Sequence, residues 1–314
     1  MRKRLAHLDT IDIISIIFFF LLTAALLAYS RSIDSWLVFS GLNAVIIAAI
    51  FLLAQYSSAR SRIWRLMHGF YMTLCIPIAF KQMYYLVPAI NPFDKDAILI
   101  TIDHWIFGLH PTQWLHQFSV PILTELLQIS YASFYLLWII LGVDLFLKKD
   151  MRAFKLVFLT IITGFYLSYI GYAAVPAIGP RFTLHDFAST NSELPGLFLT
   201  EYLREYVNTG ESIPAGTENP ERHVQRDCFP SGHTQMTLLV MLLAFRHRSR
   251  MRWFLGVNGS LLVIATVYLR YHYVIDLLAG AVFAAMTLLL VKPADIYWSR
   301  FRERARNSAG GIPF

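Results

Sequence analysis

Repeated apolar stretches, each close to twenty residues long, constrain this chain more than any other feature. They fall at roughly 11–29, 35–55, 64–87, 119–147, 153–175, 230–246, 253–270 and 271–291. A helix needs about 20 mainly apolar residues to cross the hydrocarbon layer. Backbone polar groups there must pair within the segment, which leaves the helix as the natural spanning form. Of the 314 residues, 56% are hydrophobic and 15% charged, where soluble domains carry about a quarter charged residues. The expected class is therefore an all-α polytopic membrane protein of about eight spans. The first run follows Met1-Arg-Lys-Arg4 and continues to about Tyr29 without a small-residue cleavage site, so it reads as a span and not a signal peptide. Cys75 lies inside an apolar run and is not expected to pair with Cys228.

Basic residues set the expected orientation. Arg2, Lys3 and Arg4 precede the first span, and Arg60, Arg62 and Arg65 join the second to the third. Lys148, Lys149, Arg152 and Lys155 join the fourth to the fifth. Arg246, Arg248, Arg250 and Arg252 join the sixth to the seventh, and Arg300, Arg302, Arg304 and Arg306 close the chain. Every second connection is basic, which places both ends in the cytoplasm. The net charge of +7 belongs to these connections, so nucleic acid is not the expected partner. Asp94–His110 is too charged to cross. Ile98, Ile100, Ile102, Trp105, Ile106 and Leu109 give it an apolar side, and it reads as an interfacial helix.

The chemistry-bearing residues gather on the non-cytoplasmic side. His272 and Asp276, four apart, would share one face of a helix, where a carboxylate can orient one imidazole nitrogen and leave the other free. The long polar connection 176–229 enters the sixth span through Asp227-Cys-Phe-Pro230-Ser-Gly-His233. Pro230 suits a first helical turn, and the free amides behind it attract an anion; the segment reads equally as a plainly capped helix start. Arg181, closing Gly179-Pro-Arg181, can fork two phosphate oxygens or pair with a lipid headgroup or a loop acid. Two histidines, one carboxylate, a hydroxyl and arginines, with no metal-ligand spacing on this face, point to phosphoryl chemistry with neither metal nor cofactor.

Pro230-Ser-Gly-His233, followed one helical hairpin later by His272 and Asp276, resembles the type 2 phosphatidic acid phosphatase superfamily of membrane lipid phosphatases and phosphotransferases. The resemblance runs from about the third span to the eighth. It implies a two-helix addition over 1–60, a six-helix core over 61–295 with the extracytoplasmic loop 176–229, and a basic tail over 296–314. It also implies roles: His272 as nucleophile, Asp276 as its orienter, His233 as general acid and base, and Arg181, Ser231, Gly232 and Arg270 as holders of the phosphoryl oxygens.

The pattern departs from the family's at two places. The first motif usually has a lysine followed six residues on by Arg-Pro; here the order is Pro180-Arg181 and position 174 is Ala. The third usually has its arginine six before the histidine, where this chain has Thr266, with Arg270 only two before. Leu-Arg-Tyr-His-Tyr-Val-Ile-Asp276, Gly-Pro-Arg181-Phe and Phe107-Gly-Leu-His-Pro111 resemble instead the branch related to fungal inositol phosphorylceramide synthase, which moves a phosphorylated headgroup between lipids. Lys81, near the outer end of the third span, is the cation that can replace the missing lysine, or it snorkels to the interface. Glu125, Asp103 and His104 on the same face are weaker candidates for headgroup contacts, and read more readily as core packing or solvated groups. The expected substrate is a lipid phosphate or diphosphate, with water or a lipid hydroxyl as acceptor. The expected setting is a bacterial inner membrane with the site facing outward, or a Golgi or endoplasmic-reticulum membrane with the site facing the lumen. A non-catalytic lipid transporter would be expected to lack one of His233, His272 and Asp276; all three are present.

Overall fold

The 24-residue helix Met151–Ala174 is apolar nearly all round, and its side chains are buried along its length. A helix of that kind has no face to offer lipid and becomes the centre of a bundle. The computed structural model describes residue 5 and residues 7–57 and 62–307. In chain order the main helices are α1 (Thr10–Ala28), α2 (Trp36–Ser57), α3 (Arg62–Phe70), α4 (Met72–Ile90), α5 (Asp96–Phe107), α6 (Pro121–Ala132), α7 (Phe134–Leu147) and α8 (Met151–Ala174). α9 (Thr200–Gly210), α10 (Gly232–Arg246), α11 (Arg252–Tyr268) and α12 (Val274–Asn307) follow. The protein is 77% helix, with no strand among the described residues.

Among the described residues, five helical segments are long and apolar enough to cross a membrane: Thr10–Ala28, Trp36–Tyr56, Leu66–Ile90, Met151–Ala174 and Val274–Ala305. A sixth follows if α6 and α7, bent by 56° at their junction, count as one. The remaining two helices of the expected eight, α10 and α11, are present but have only 15 and 17 residues. Exposed large apolar side chains such as Phe20, Val38, Val282 and Leu289 clothe the outer helices. A chain standing in water would rarely leave such a surface uncovered.

α8 packs against α1, α4, α7, α10 and α12. Polar side chains inside this apolar bundle pair with one another. Gln235 of α10 donates to the Gly164 carbonyl of α8 at 3.0 Å and to Thr287 of α12 at 3.2 Å, and accepts from Ser168 of α8 at 2.5 Å. One amide thus ties the three helices whose ends carry the candidate site. The N-terminal pair joins the core in two ways. Phe18 stacks on Tyr166 with ring centres 3.7 Å apart. Asn43 and Gln82 exchange two amide bonds, at 3.0 and 2.8 Å. Interhelical bonds of this kind contribute roughly 0.6–2 kcal/mol each. The expected boundary at 60/61 falls outside the described residues, as do Arg2, Lys3, Arg4 and Arg60. Part of the expected tail is helical, since α12 runs on to Asn307.

The interfacial helix is reversed relative to a soluble amphipathic one. α5 exposes Ile98, Trp105 and Ile106 and buries Asp96 and Asp103. Asp103 accepts from the amides of Val274 and Ile275, both at 2.8 Å, which caps α12. Asp96 accepts from the amides of Ile178 and Gly179, at 3.0 and 2.8 Å, and from the Tyr273 hydroxyl at 2.8 Å. Glu125 of α6 does the same for the long loop, accepting from the amides of Leu197, Leu199 and Thr200 and from the Thr200 hydroxyl at 2.6–3.1 Å. Asp103 and Glu125, weaker candidates for headgroup contacts, thus hold backbone in place, in keeping with the packing reading, and Asp96 does the same.

Glu125→Ala strands several donors at the start of α9, and a donor left unmet costs roughly 1–3 kcal/mol. The expected outcome is faster limited proteolysis within 190–215 at unchanged overall helicity, read by peptide mapping and circular dichroism.

Candidate active site

α11 ends at Tyr268 and α12 begins at Val274, so His272 lies in the turn between them and not on a helix. This corrects the expected one-turn spacing with Asp276. The turn is a tight C-terminal cap: the amides of Tyr271 and His272 both reach back to the Thr266 carbonyl at 3.0 Å, and Arg270 adopts φ +69°. Glycine usually supplies that left-handed conformation.

His272 Nδ1 lies 2.8 Å from the carbonyl oxygen of Cys228 and 3.4 Å from Asp276 Oδ2. A carbonyl can only accept, so Nδ1 carries the hydrogen and the lone pair falls on Nε2. Nε2 makes no hydrogen bond to the described residues. The nearer orienter of the ring is thus a main-chain carbonyl. The Asp276 carboxylate organises what surrounds it, accepting from the Tyr273 amide at 2.8 Å and from Cys228 Sγ at 3.0 Å.

His233 stands in the first turn of α10. Its ring centre is 5.7 Å from that of His272, and it packs on Tyr131 and Phe134 at 4.5 and 4.2 Å. Pro230 precedes this helix instead of entering it, and Ser231 is the N-cap. The Ser231 hydroxyl accepts from the Thr234 amide at 3.1 Å and donates to the Thr234 hydroxyl at 3.0 Å, and the residue is fully buried. Its side chain is engaged in capping. Gly232 packs against the Tyr172 hydroxyl: a Cβ at this position would stand 2.4 Å from that oxygen.

A cavity of about 480 Å³ opens on His233. Its wall is aromatic, with Tyr135, Tyr169 and Tyr206 among others, and its polar members are His233, Asp227, Glu211 and Lys81. Lys81 therefore shares a cavity with His233, and its Nζ donates to Ser212 Oγ at 2.7 Å. His272, itself buried, is not part of the wall.

Arg181 is 4% exposed. Its guanidinium pairs with Glu211, donates to Asn208 at 3.2 Å and lies over the Tyr271 ring at 4.9 Å; its Nε is buried without a partner. Arg270, like Arg181, is paired with a carboxylate. The left-handed turn directs its side chain to Glu193, with which it pairs, and to His116 Nδ1 at 3.1 Å, so both terminal nitrogens are taken. The main chains of the two arginines meet all the same, Arg181 N donating to Arg270 O at 3.1 Å. The His104 ring lies beside that of His110, tilted by 39° with ring centres 5.0 Å apart.

Asp227, Glu211 and Cys228 were not singled out as site residues. Burial pushes the Asp227 carboxyl up to about 6 against the lowering pull of His272 and Arg181. A lone loop aspartate carries no sequence signal, although its place directly before Cys228-Phe-Pro230 is a usable hint. Cys228, His272 and Asp276 bring donor atoms within 4.8 Å of one another. That set, unanticipated from spacing, has the size of a metal site, and its atoms are hydrogen-bonded to one another and to the Cys228 carbonyl.

The fold is that of an integral membrane protein whose ionisable side chains gather where α8, α10 and α12 approach one another. Residues 97–290, more than half of the chain, match the PAP2 superfamily, and the chain belongs to that family. Membership points to phosphatase-type activity. A PA-phosphatase related-family protein of Dictyostelium discoideum is 23% identical over 175 residues, covering 50% of this chain and 30% of that protein's length. No solved structure matches.

Gly232→Ala is expected to lower stability by roughly 1–3 kcal/mol through overpacking, and Tyr172→Phe, which removes the oxygen the new methyl meets, to restore most of the loss. A double-mutant cycle by thermal unfolding in detergent reads the coupling; additive losses would contradict the contact. A carboxyl whose folded-state pKa is raised from 3.8 to about 6 binds its proton more tightly folded than unfolded, so its contribution is present at low pH and lost as pH rises to about 6. Asp227→Asn is therefore expected to raise the unfolding temperature at pH 7.5 and leave it unchanged at pH 4.

Proposed function

We propose that this protein is an integral membrane lipid phosphatase or phosphotransferase that works through a phosphohistidine on His272. The observation that carries the reading is the Cys228 carbonyl on Nδ1, which leaves the lone pair on Nε2, in an imidazole facing a second one 5.7 Å away between ring centres. Nε2 attacks phosphorus in line, the P–O bond to the departing alcohol breaks, and His233 gives its proton to that oxygen. Water or a lipid hydroxyl then attacks the phosphohistidine while His233 takes its proton, and the P–N bond breaks. Arg181 and the amides at the start of α10 offset charge on the phosphoryl oxygens. Glu211 holds Arg181 in place and gives way to phosphate. Lys81 meets the headgroup from the cavity wall. The substrate is a lipid phosphate or diphosphate whose tails lie among the aromatic residues, and no metal takes part.

Headgroup transfer onto a lipid alcohol is the second reading, and the cavity favours it specifically. Glu211 and Asp227 offer acceptors to the hydroxyls of a polyol headgroup, which suits a phosphoinositol-type donor. Alternation of the basic connections puts this end of the bundle outside the cytoplasm, facing the periplasm of a bacterial inner membrane or, in a eukaryotic cell, the lumen of the Golgi or endoplasmic reticulum.

His272→Ala is expected to lower turnover on the order of 10³-fold or more, since the nucleophile is lost, and His233→Ala roughly 10²–10⁴-fold. With an activated aryl phosphate, whose leaving group needs no proton, His233→Ala should accumulate phosphate on His272, detectable by intact-protein mass spectrometry. Full turnover by His272→Ala would refute the reading. Phosphatidylinositol with a lipid alcohol separates transfer from hydrolysis: a new phosphorylated lipid marks the transferase, and release of the phosphorylated headgroup to water marks the hydrolase.

A further inference from the structure

A second cavity, of about 510 Å³, lies at the other end of the same helices. It forms where the starts of α1 and α8 meet the end of α10 and the far part of α12. Arg246 is 14 residues beyond Gly232, and Lys292 is 18 beyond Val274. At about 1.5 Å per residue these places stand roughly 20–27 Å from the histidine pair. Five cations line the cavity, Arg152, Lys155, Arg246, Lys292 and Arg302, against two carboxylates, Asp9 and Asp295.

Asp9 is engaged by Lys155 at 2.7 Å and by Arg302, and Asp295 accepts from Thr10 at 2.6 Å. The side chains of Arg152, Arg246 and Lys292 have no hydrogen bond or ion pair among the described residues. Like charges around one cavity repel and favour an anion among them. The rest of the wall, including Leu156, Leu159, Leu243 and Leu288, is apolar. A small free anion would leave that apolar surface uncovered, whereas a lipid brings phosphate and hydrocarbon together.

We propose that this cavity binds the headgroup of an anionic phospholipid, its phosphate among Arg152, Arg246 and Lys292 and its glycerol and upper acyl chains on the leucines. The site is separate from His272 and does not depend on the chemistry proposed there. Among the described residues, the basic connections around 148–155, 246–252 and 300–304 gather at this end, and anionic lipid is drawn to such clusters at a membrane surface. Because α1 contributes its first turn to the wall, a bound lipid bridges the N-terminal helices to α8, α10 and α12.

The test is native mass spectrometry of the full chain with dioleoyl phosphatidylglycerol, dioleoyl phosphatidylcholine and inorganic phosphate as separate probes. Wild type should retain one more phosphatidylglycerol than the Arg152→Gln/Arg246→Gln/Lys292→Gln variant. Binding at that site should weaken at least tenfold in the variant, while turnover stays within twofold of wild type. Phosphatidylcholine should not occupy the site, and millimolar inorganic phosphate should not displace the bound lipid. Equal phosphatidylglycerol retention by variant and wild type would overturn the proposal. So would equal retention of phosphatidylcholine, or displacement by inorganic phosphate, which would mark a free-phosphate site. If the triple variant does not fold, the single Lys292→Gln variant, altered at an exposed side chain, should weaken retention at least threefold, and unchanged retention counts against the site.

Discussion

The bond from His272 Nδ1 to the Cys228 carbonyl is the contact on which the rest of the site depends. It settles the tautomer, aims the ring and spans 2.8 Å between a helix–helix turn and the last residues of the long loop. Neither partner could hold it alone. The turn is set by the left-handed residue at Arg270 and by Asp103 capping α12. Cys228 is held by its own amide, which donates to Ala177 O at 3.2 Å, and by its thiol on Asp276. Asp276 Oδ2 lies 3.4 Å from Nδ1, and the same carboxylate keeps the ring's surroundings in place through the Tyr273 amide and the Cys228 thiol.

Much of the fold was legible in the sequence because the solvent imposes it. Long apolar runs can only be helices in lipid, and all eight expected runs are helical, α6 with α7 in a bent pair and α10 and α11 short. His233, His272 and Asp276 were recognisable because ionisable side chains are rare in such surroundings. The Cys228 carbonyl was not, since every residue has a carbonyl and only the fold decides which one meets an imidazole. The partners of Arg270 were not legible for a related reason. Spacing along the chain suggests a side chain near His272, but a left-handed residue swings its side chain away from the path its neighbours follow, here toward Glu193. Ser231 is likewise where the motif puts it, at a helix start, yet its hydroxyl is committed to the cap.

The carboxylates divide by what they touch. Asp96, Asp103 and Glu125 accept backbone amides and stitch loop to helix. Glu211 and Asp227 face the cavity. In a bundle this apolar, the first group gives the polar loop somewhere to end its hydrogen bonds, and the second leaves acceptors on the cavity wall.

Three segments far apart in the chain are joined to one another through main-chain atoms. Arg181 N donates to Arg270 O, Cys228 N to Ala177 O, and Ser231 N to Asp276 O, at 3.0–3.2 Å. None of these bonds depends on which side chain its residues carry. Cavity-facing positions such as Lys81, Tyr206 and Glu211 can therefore change while the frame that presents the imidazoles stays fixed. On the function proposed above, such a chain could change its lipid or its acceptor by substitutions at the rim without rebuilding the pair of imidazoles.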